Sequence, residues 1–350
     1  MKQHFQLKNL TLKNRLVMPP MATRAATKYG EVTDAHFTHY EARIRGGHIG
    51  LAVTEHAYVT EQGRASEGML SLASDLVLPG LTRLVELFHR YDTPVLAQLN
   101  HAGCATTTEI TGKEVIGAGS LNLPPVAIAK TPFHSTPRMI RADEVPALVD
   151  SYVQAAGRAK TAGYDGVVIH SAHAYLLNQF YSLLTNNRTD EYGGSLENRL
   201  RLHAAIVKAV REETGDGFLI AVRLGACDHA DGGNGVAEAV EAAKILETAG
   251  IDLMDISGGM CRYTLDRHEE PGYFGAEAKS IREAVQVPVL LTGGIQTLAD
   301  AQDLLDKGYA DLIGVGRALL QNPDWAEEAF LAESVRNSET ASLHSAFREG

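Results

Sequence analysis

A single pattern of apolar and polar residues recurs along this chain. A helix-like segment closes on glycine, a short polar link follows, and a mostly β-branched run comes next, as in residues 46–53, 162–169, 249–256 and 307–315. Glycine suits the left-handed position after a helix, and near-continuous apolar runs are typical of strands buried on both faces of a parallel sheet. The pattern therefore predicts helices that alternate with parallel strands.

Extended over the whole chain, the pattern predicts eight strands and eight helices. The strands fall at residues 16–18, 51–54, 95–99, 167–169, 219–224, 253–256, 289–291 and 312–315. The helices fall at residues 34–45, 78–90, 143–161, 196–213, 236–248, 276–285, 298–306 and 324–332. This alternation predicts an α/β fold, a TIM (β/α)8 barrel that forms one domain over residues 1–333. A doubly wound sheet is the alternative, but no GxGxxG motif follows the first strand.

Two segments do not follow the repeat. Residues 103–139 come after the third strand, are rich in glycine, proline and threonine, and are too long for an ordinary βα loop. We therefore expect them to form a hairpin or lid over the barrel mouth. Residues 334–350 are polar and mixed, and a tail of this kind either frays or packs on a partner.

Composition narrows the possible partners and location. The net charge of −11 argues against a nucleic-acid-binding surface, and no apolar run reaches the ~18 residues that a membrane helix needs. The start MKQHFQLKNL does not resemble a signal peptide. Cys104, Cys227 and Cys261 are far apart and form no CxxC motif, which favours free thiols in a reducing cytoplasm. We expect a cytoplasmic enzyme that acts on a small molecule.

Polar residues gather at the predicted carboxyl ends of the strands, where TIM-barrel enzymes carry their chemistry. The pairs Gly293-Gly294 and Gly316-Arg317 follow the seventh and eighth strands. Loops at these positions commonly hold a phosphate, because glycines let backbone N–H groups approach it and arginine adds charge. The alternative is that these glycines only make tight turns.

Four further rim residues carry candidate chemistry. Arg223 ends the fifth strand and would meet an anion or an electron-rich ring, unless it forms an internal ion pair with Asp255. His170 and His173 could polarise a carbonyl or nitro oxygen; metal ligation and a structural role are the alternatives. Tyr175 could protonate a developing carbanion, or it could be aromatic lining.

Several local motifs identify a family. The chain resembles the Old Yellow Enzymes, FMN-dependent ene-reductases built on a TIM barrel, over nearly its whole length. The motifs that carry this resemblance are residues 10–15 (LTLKNR), 98–103 (QLNHAG), 187–199 (NRTDEYGGSLENR) and 316–320 (GRALL).

The resemblance implies an FMN site at the barrel mouth. Its lining would be Pro19, Pro20, Met21, Ala22 and His56. Gln98 would bond the pyrimidine ring, and Arg223 would face flavin N1. The phosphate would be held by Gly293, Gly294, Gly316 and Arg317. NADH or NADPH would reduce the flavin and leave, and an activated alkene would then enter the same pocket.

The same resemblance assigns the substrate side. His170 and His173 would bind the activating oxygen, and Tyr175 would donate the proton. The chain departs from the family pattern at Ala22, where threonine or cysteine is common, at His56, where a small residue is common, and at Arg24, which replaces an aromatic residue of one subgroup and would contact substrate. The sequence ends before the iron–sulfur domain of larger relatives, so direct reduction by a nicotinamide is expected.

Two other functions are alternatives to this one. An FMN-dependent dehydrogenase or demethylase of amines or ring compounds would use the same cofactor. A flavin-free lyase would need a Schiff-base lysine at a strand end, and none of the predicted strand ends carries one. Because one subgroup of the family inserts a C-terminal arginine into the neighbouring active site, Phe347-Arg348 predicts a homo-oligomer in which the tail reaches across.

Overall fold

A computed structural model describes residues 1–268 and 270–346, with the side chains of the last helix described up to Val335. The strands in chain order are β1 (Phe5–Leu7), β2 (Leu10–Leu12), β3 (Leu16–Met18), β4 (Leu51–Tyr58), β5 (Leu70–Ser71), β6 (Val95–Asn100), β7 (Ile116–Gly117), β8 (Arg138–Met139), β9 (Gly166–Ser171), β10 (Leu219–Gly225), β11 (Leu253–Ser257), β12 (Val289–Thr292) and β13 (Leu312–Gly314). The helices are α1 (Asp34–Ile44), α2 (Leu78–Arg90), α3 (Thr108–Thr111), α4 (Pro125–Ile128), α5 (Val145–Thr161), α6 (Leu176–Tyr181), α7 (Leu196–Arg199), α8 (Arg201–Thr214), α9 (Val236–Ala249), α10 (Gly275–Arg282), α11 (Leu298–Asp306), α12 (Arg317–Gln321) and α13 (Trp325–Ala346).

Eight of the described strands form a closed parallel barrel. Their order is β3, β4, β6, β9, β10, β11, β12 and β13, and β13 pairs back onto β3. Their residues are buried almost without exception, because helices cover the outer face and side chains fill the interior. The predicted TIM barrel is therefore confirmed, and each predicted strand overlaps one of the eight.

A short hairpin closes the amino-terminal end of the barrel. Strands β1 and β2 pair antiparallel, and their residues Leu7 and Leu12 are fully buried against strand residues such as Val17 and Leu51. Burying a leucine contributes about 1.5–3 kcal/mol, so this hairpin stabilises the closed end. Sequence analysis missed it, since two strands of three residues give no measurable alternation.

The structure corrects several predicted boundaries. Strand β4 continues to Tyr58, so His56 lies inside the strand rather than beyond it. The helix predicted at 196–213 is two helices, α7 and α8, that meet at Leu200. Helix α12 was not predicted. Helix α13 runs to Ala346 and so extends beyond the helix predicted at 324–332, while residues 347–350 lie outside the described residues.

The insertion after the third barrel strand contains α3, β7, α4 and β8. The short strands β7 and β8 pair in parallel, so the predicted hairpin is wrong. Buried Arg188 anchors the segment by donating hydrogen bonds to the carbonyl oxygens of Ala118 (2.8 Å) and Ile140 (2.5 Å). The lid function remains a prediction.

In the described part of the chain, no helix combines the length and the apolar character that crossing a membrane requires.

Candidate active site

A cavity of about 580 Å³ opens at the carboxyl ends of the barrel strands. Every site residue that the sequence analysis selected lines it. These residues are Pro19, Pro20, Met21, Ala22, Arg24, His56, Gln98, His170, His173, Tyr175, Arg223, Gly293, Gly294, Gly316 and Arg317. The structure therefore brings the predicted residues together on one surface.

The end of β9 holds three aromatic side chains in contact. His170 is the last residue but one of the strand, and its ring centroid lies 5.0 Å from that of His173 and 5.2 Å from that of Tyr175. His173 and Ala174 adopt left-handed backbone angles, with φ of 61° and 62°. Such angles strain non-glycine residues and concentrate at functional sites. This turn brings the His173 ring back beside His170.

Both histidines are neutral at ordinary pH. Burial, with a further contribution from the Arg223 guanidinium, holds the pKa of His170 and of His173 well below the usual range. His173 Nε2 lies 2.7 Å from Ser257 Oγ. Nδ1 of His170 is buried without a hydrogen-bond partner among the described residues. Each ring can therefore offer one N–H to a ligand without the cost of a buried imidazolium.

Strands β4 and β6 supply the neighbouring wall. His56 and Gln98 are register partners, and Nδ2 of Asn100 lies 3.1 Å from Nδ1 of His56, which fixes the ring. Burial lowers the pKa of His56 to about 4. The Nε2 amide of Gln98 is buried and has no hydrogen-bond partner within the described chain. An unpaired buried donor costs about 1–3 kcal/mol, so it is suited to a ligand acceptor.

Arg223 combines the two alternatives that the sequence left open. Its Nε lies 3.4 Å from Asp255 Oδ2 between buried side chains, so the ion pair exists. Neither that Nε nor the Asp255 oxygens make a hydrogen bond to a described residue, and burial raises the pKa of Asp255 to about 6. The outer nitrogen Nη2 reaches Thr292 at 3.1 Å, on the cavity wall. Arg223 is thus incompletely paired and remains available to an anionic ligand.

The loop after β12 requires its two glycines. Gly293 and Gly294 have φ of 131° and 71°, and a Cβ at either would lie within 3 Å of the Tyr273 ring. Arg317, after β13, donates a hydrogen bond to Tyr273 Oη at 3.2 Å and lies over the same ring. Backbone N–H groups on such a loop with an adjacent guanidinium form a phosphate cradle.

The segment after β3 is held in place by Glu55, a buried residue of β4. Thr23 donates hydrogen bonds from its backbone N–H (2.9 Å) and its hydroxyl (2.6 Å) to the two carboxylate oxygens of Glu55. Glu55 also contacts His36 Nε2 at 3.0 Å, fully buried. These contacts set the path of residues 19–22 along the cavity, and they leave Arg24 exposed at its edge with a left-handed φ of 56°.

Sequence analysis missed part of the lining. Arg262, Tyr263 and Tyr273 come from the irregular segment after β11, and Lys130 and Thr131 come from the insertion. Arg262 is buried, donates a 2.7 Å hydrogen bond to Thr131 and lies 3.5 Å from Tyr175 Oη. The sequence feature that could have indicated this part of the lining is the charge of Arg262, since these loops show no periodic pattern of apolar residues.

The cavity is strongly cationic although the chain carries a net charge of −11. Among the described lining residues there is no aspartate or glutamate, and the cationic side chains are Arg24, Lys130, Arg223, Arg262 and Arg317. FMN fits this surface: the glycine loop and Arg317 suit its phosphate, and the unpaired donors of Gln98 and Arg223 suit the acceptor atoms of its ring.

Comparisons with known proteins agree with this fit. Residues 3–333 match the family model described as the NADH:flavin oxidoreductase / NADH oxidase family. An NADPH dehydrogenase of Halalkalibacterium halodurans is 38% identical over 332 residues, covering 93% of both chains. An NADH oxidase of Thermoanaerobacter brockii is 36% identical over 92% of this chain, which spans only 49% of that relative.

A solved structure extends the similarity to the fold. The Old Yellow Enzyme homologue from Zymomonas mobilis superposes with a TM-score of 0.82 at 28% identity, covering 95% of this chain and 92% of that one. The chain therefore belongs to the NADH:flavin oxidoreductase / NADH oxidase family, as an NAD(P)H-dependent oxidoreductase with FMN as its non-covalent cofactor.

Proposed function

We propose that this enzyme reduces the activated C=C bond of α,β-unsaturated carbonyl or nitro compounds in a ping-pong reaction. The observation that carries the proposal is the convergence of His170, His173 and Tyr175 at one end of the cavity. Bound FMN would supply the hydride transfer from NADH or NADPH to the alkene. The side chains described here account for the remaining requirements, an electrophilic hold on the substrate oxygen and a proton.

The two histidines hold the substrate. Because both are neutral, each ring can donate an N–H to the carbonyl or nitro oxygen, where negative charge grows as hydride adds to the β-carbon. The contact between Ser257 Oγ and His173 Nε2 orients the His173 ring. The rings are edge-to-face, so their free N–H groups can approach one oxygen from different directions.

Tyr175 is the proposed proton donor to the α-carbon. Its side chain is 8% exposed, and its hydroxyl is contacted by Arg262 at 3.5 Å. The guanidinium also lies 5.3 Å from the ring centre. These two contacts fix the orientation of the phenol in the cavity. Arg262 is therefore a positioning residue for the proton transfer.

The cavity charge disfavours the rival functions. An amine dehydrogenase would bind a cationic substrate against a described lining without a carboxylate. A Schiff-base lyase needs a free lysine. Lys130 does line the cavity, but its Nζ donates to the carbonyl oxygen of Thr264 at 2.9 Å and pairs with Asp266 at 2.9 Å. A lysine held in this way is not free to attack a carbonyl carbon.

A spectroscopic experiment tests the proposal as a whole. The purified protein should show a flavin absorbance spectrum that NADPH or NADH bleaches under anaerobic conditions. Cyclohexenone should then restore the oxidised spectrum. A reduced enzyme that oxygen reoxidises but enones and nitroalkenes do not would retain the family assignment and overturn the ene-reductase proposal.

Replacing Arg317 by Ala should weaken FMN binding. A charge-assisted contact to phosphate contributes roughly 1.5–3 kcal/mol, equivalent to about a 10- to 150-fold increase in Kd. Fluorescence titration of the apoprotein with FMN measures this change. Arg45→Ala is the matched control, since Arg45 is exposed and pairs with Asp324 on the surface. An unchanged Kd for Arg317→Ala would place the phosphate elsewhere.

We also retain the homo-oligomer as a proposal. Arg348 lies outside the described residues, so its support is the Phe347-Arg348 pair in the sequence alone. Deleting residues 344–350 should raise KM for the alkene without loss of bound FMN. Light scattering on the full chain provides the second measurement. A strictly monomeric enzyme, or unchanged kinetics after truncation, would contradict the idea.

A further inference from the structure

A cluster of metal-ligating side chains lies outside the cavity. Within the described residues, Cys227, His229 and Glu277 bring one sulfur, one imidazole nitrogen and one carboxylate oxygen within 4.8 Å of one another. Cys227 and His229 come from the loop after β10, and Glu277 comes from the first turn of α10. None of the three lines the cavity, so the cluster does not rest on the proposed function.

The backbone that carries the cluster is held in place. Asp228, between the two loop residues, is fully buried and accepts hydrogen bonds from Ser182 Oγ (2.6 Å), Asn234 N (2.9 Å) and Met260 N (2.9 Å). The carbonyl oxygen of Cys227 accepts a further bond from Gly259 N at 2.9 Å. Side chains on either side of Asp228 therefore project from a fixed frame.

The Glu277 carboxylate is buried and only one of its oxygens contacts a described side chain. Its side chain is 6% exposed, and its Oε1 lies 3.1 Å from His229 Nε2. Its other oxygen, Oε2, is buried and has no hydrogen-bond partner among the described residues. A buried carboxylate oxygen without a partner is costly unless a cation compensates it.

The donor atoms of the three side chains indicate which kind of cation would bind. The donor set distinguishes among metals, because sulfur with nitrogen suits zinc and similar borderline ions, whereas magnesium and calcium require oxygen.

We propose that Cys227, His229 and Glu277 bind one zinc-type divalent ion, with water in the fourth position. Zinc bonds of about 2.0–2.3 Å place ligand atoms some 3.3–3.8 Å apart, so the three side chains need to close by roughly 1 Å. On binding, the thiol loses its proton, and the imidazole binds as the neutral ring. The ion links the loop after β10 to α10. Phe274, at the start of α10, packs against His229 and lies next to Gly293 of the glycine loop.

Cobalt substitution tests the site in the FMN-loaded enzyme. After chelator treatment and gel filtration, Co²⁺ should bind with one ion per chain and produce tetrahedral ligand-field bands at wavelengths beyond those of oxidised flavin. Zn²⁺ should displace them. Cys227→Ser, His229→Gln and Glu277→Gln should each weaken binding at least about 100-fold, since even second-shell partners of a metal ligand contribute about 10–100-fold.

Cys261→Ala is the matched control, because the Cys261 thiol lies 3.6 Å from the Cys227 carbonyl oxygen and burial raises its pKa to about 12. It should bind Co²⁺ as the wild type does. Wild-type enzyme that binds no Co²⁺ or Zn²⁺ would overturn the proposal and leave only the contact between His229 and Glu277. Loss of the bands in Cys261→Ala but not in Cys227→Ser would overturn the ligand set. Glu277→Gln preserves the side-chain shape, and retained FMN absorbance shows that each variant is folded.

Discussion

Tyr175→Phe is expected to slow the reduction of cyclohexenone by ~10²–10⁴-fold, the usual contribution of a positioned general acid. The phenol hydroxyl is the group that this change removes, and the ring stays to pack against His170. Stopped-flow measurement of the two half-reactions separates the effects. Oxidation of NADPH by the enzyme flavin should keep nearly its wild-type rate, because that step needs no proton from Tyr175.

Two controls make this result specific. Tyr263→Phe removes a second phenol from the same cavity, on a side chain that is 54% exposed, and should leave both half-reactions near the wild-type rates. Quinones, whose reduction depends weakly on a carbon-bound proton, should be reduced by Tyr175→Phe almost normally. Equal slowing of both half-reactions would instead indicate a displaced flavin and contradict the proton-donor role.

The double replacement His170→Ala and His173→Ala is expected to have an effect of similar size. Removing a donor to a developing oxyanion costs about 10²–10³-fold, so kcat/KM for enones should fall at least this far, with a higher KM. Phenol binding, followed by its charge-transfer band with the flavin, should disappear while FMN content is retained. His134→Ala, an exposed histidine of the insertion, is the control.

The pH dependence of substrate binding provides an independent check on these histidines. Their pKa values lie well below the usual range, so both rings stay neutral as pH falls from about 8 to 5, the window in which free histidine titrates. KM for a neutral enone should therefore be nearly constant across that window. A double variant that binds phenols normally, or a KM that changes with an ordinary histidine titration, would show that the assignment is wrong.

The barrel was predictable because its strands carry a strong physical signal. A run such as Val289–Leu291 must be apolar on both faces, and the polar residues that follow it then fall on one rim. This reasoning found His170, Arg223 and the glycine loops. It could not find Arg262 or Tyr273, since their position depends on how a long irregular loop folds back over the mouth.

Other misses have different physical causes. Hairpin β1–β2 is too short for a periodic pattern and is stabilised by what Leu7 and Leu12 bury. The break between α7 and α8 has no proline or glycine to announce it. The cluster of Cys227, His229 and Glu277 joins residues from two different strand–helix repeats, and the pattern within one repeat does not predict a contact between repeats. Tertiary contact decides each of these features.

Closure of the barrel between β13 and β3 has a consequence for how the protein folds. The register pairs Ile313 with Leu16, so the final seam joins opposite ends of the domain and closes only after nearly all of the chain has been synthesised. Proteins whose contacts join residues so distant in sequence fold slowly. Because the cavity draws on both sides of that seam, at Pro19 and at Gly316, a chain with an open seam has an incomplete flavin site. Bound FMN should therefore slow amide hydrogen exchange most strongly along β3 and β13, because it stabilises the pairing of these two strands.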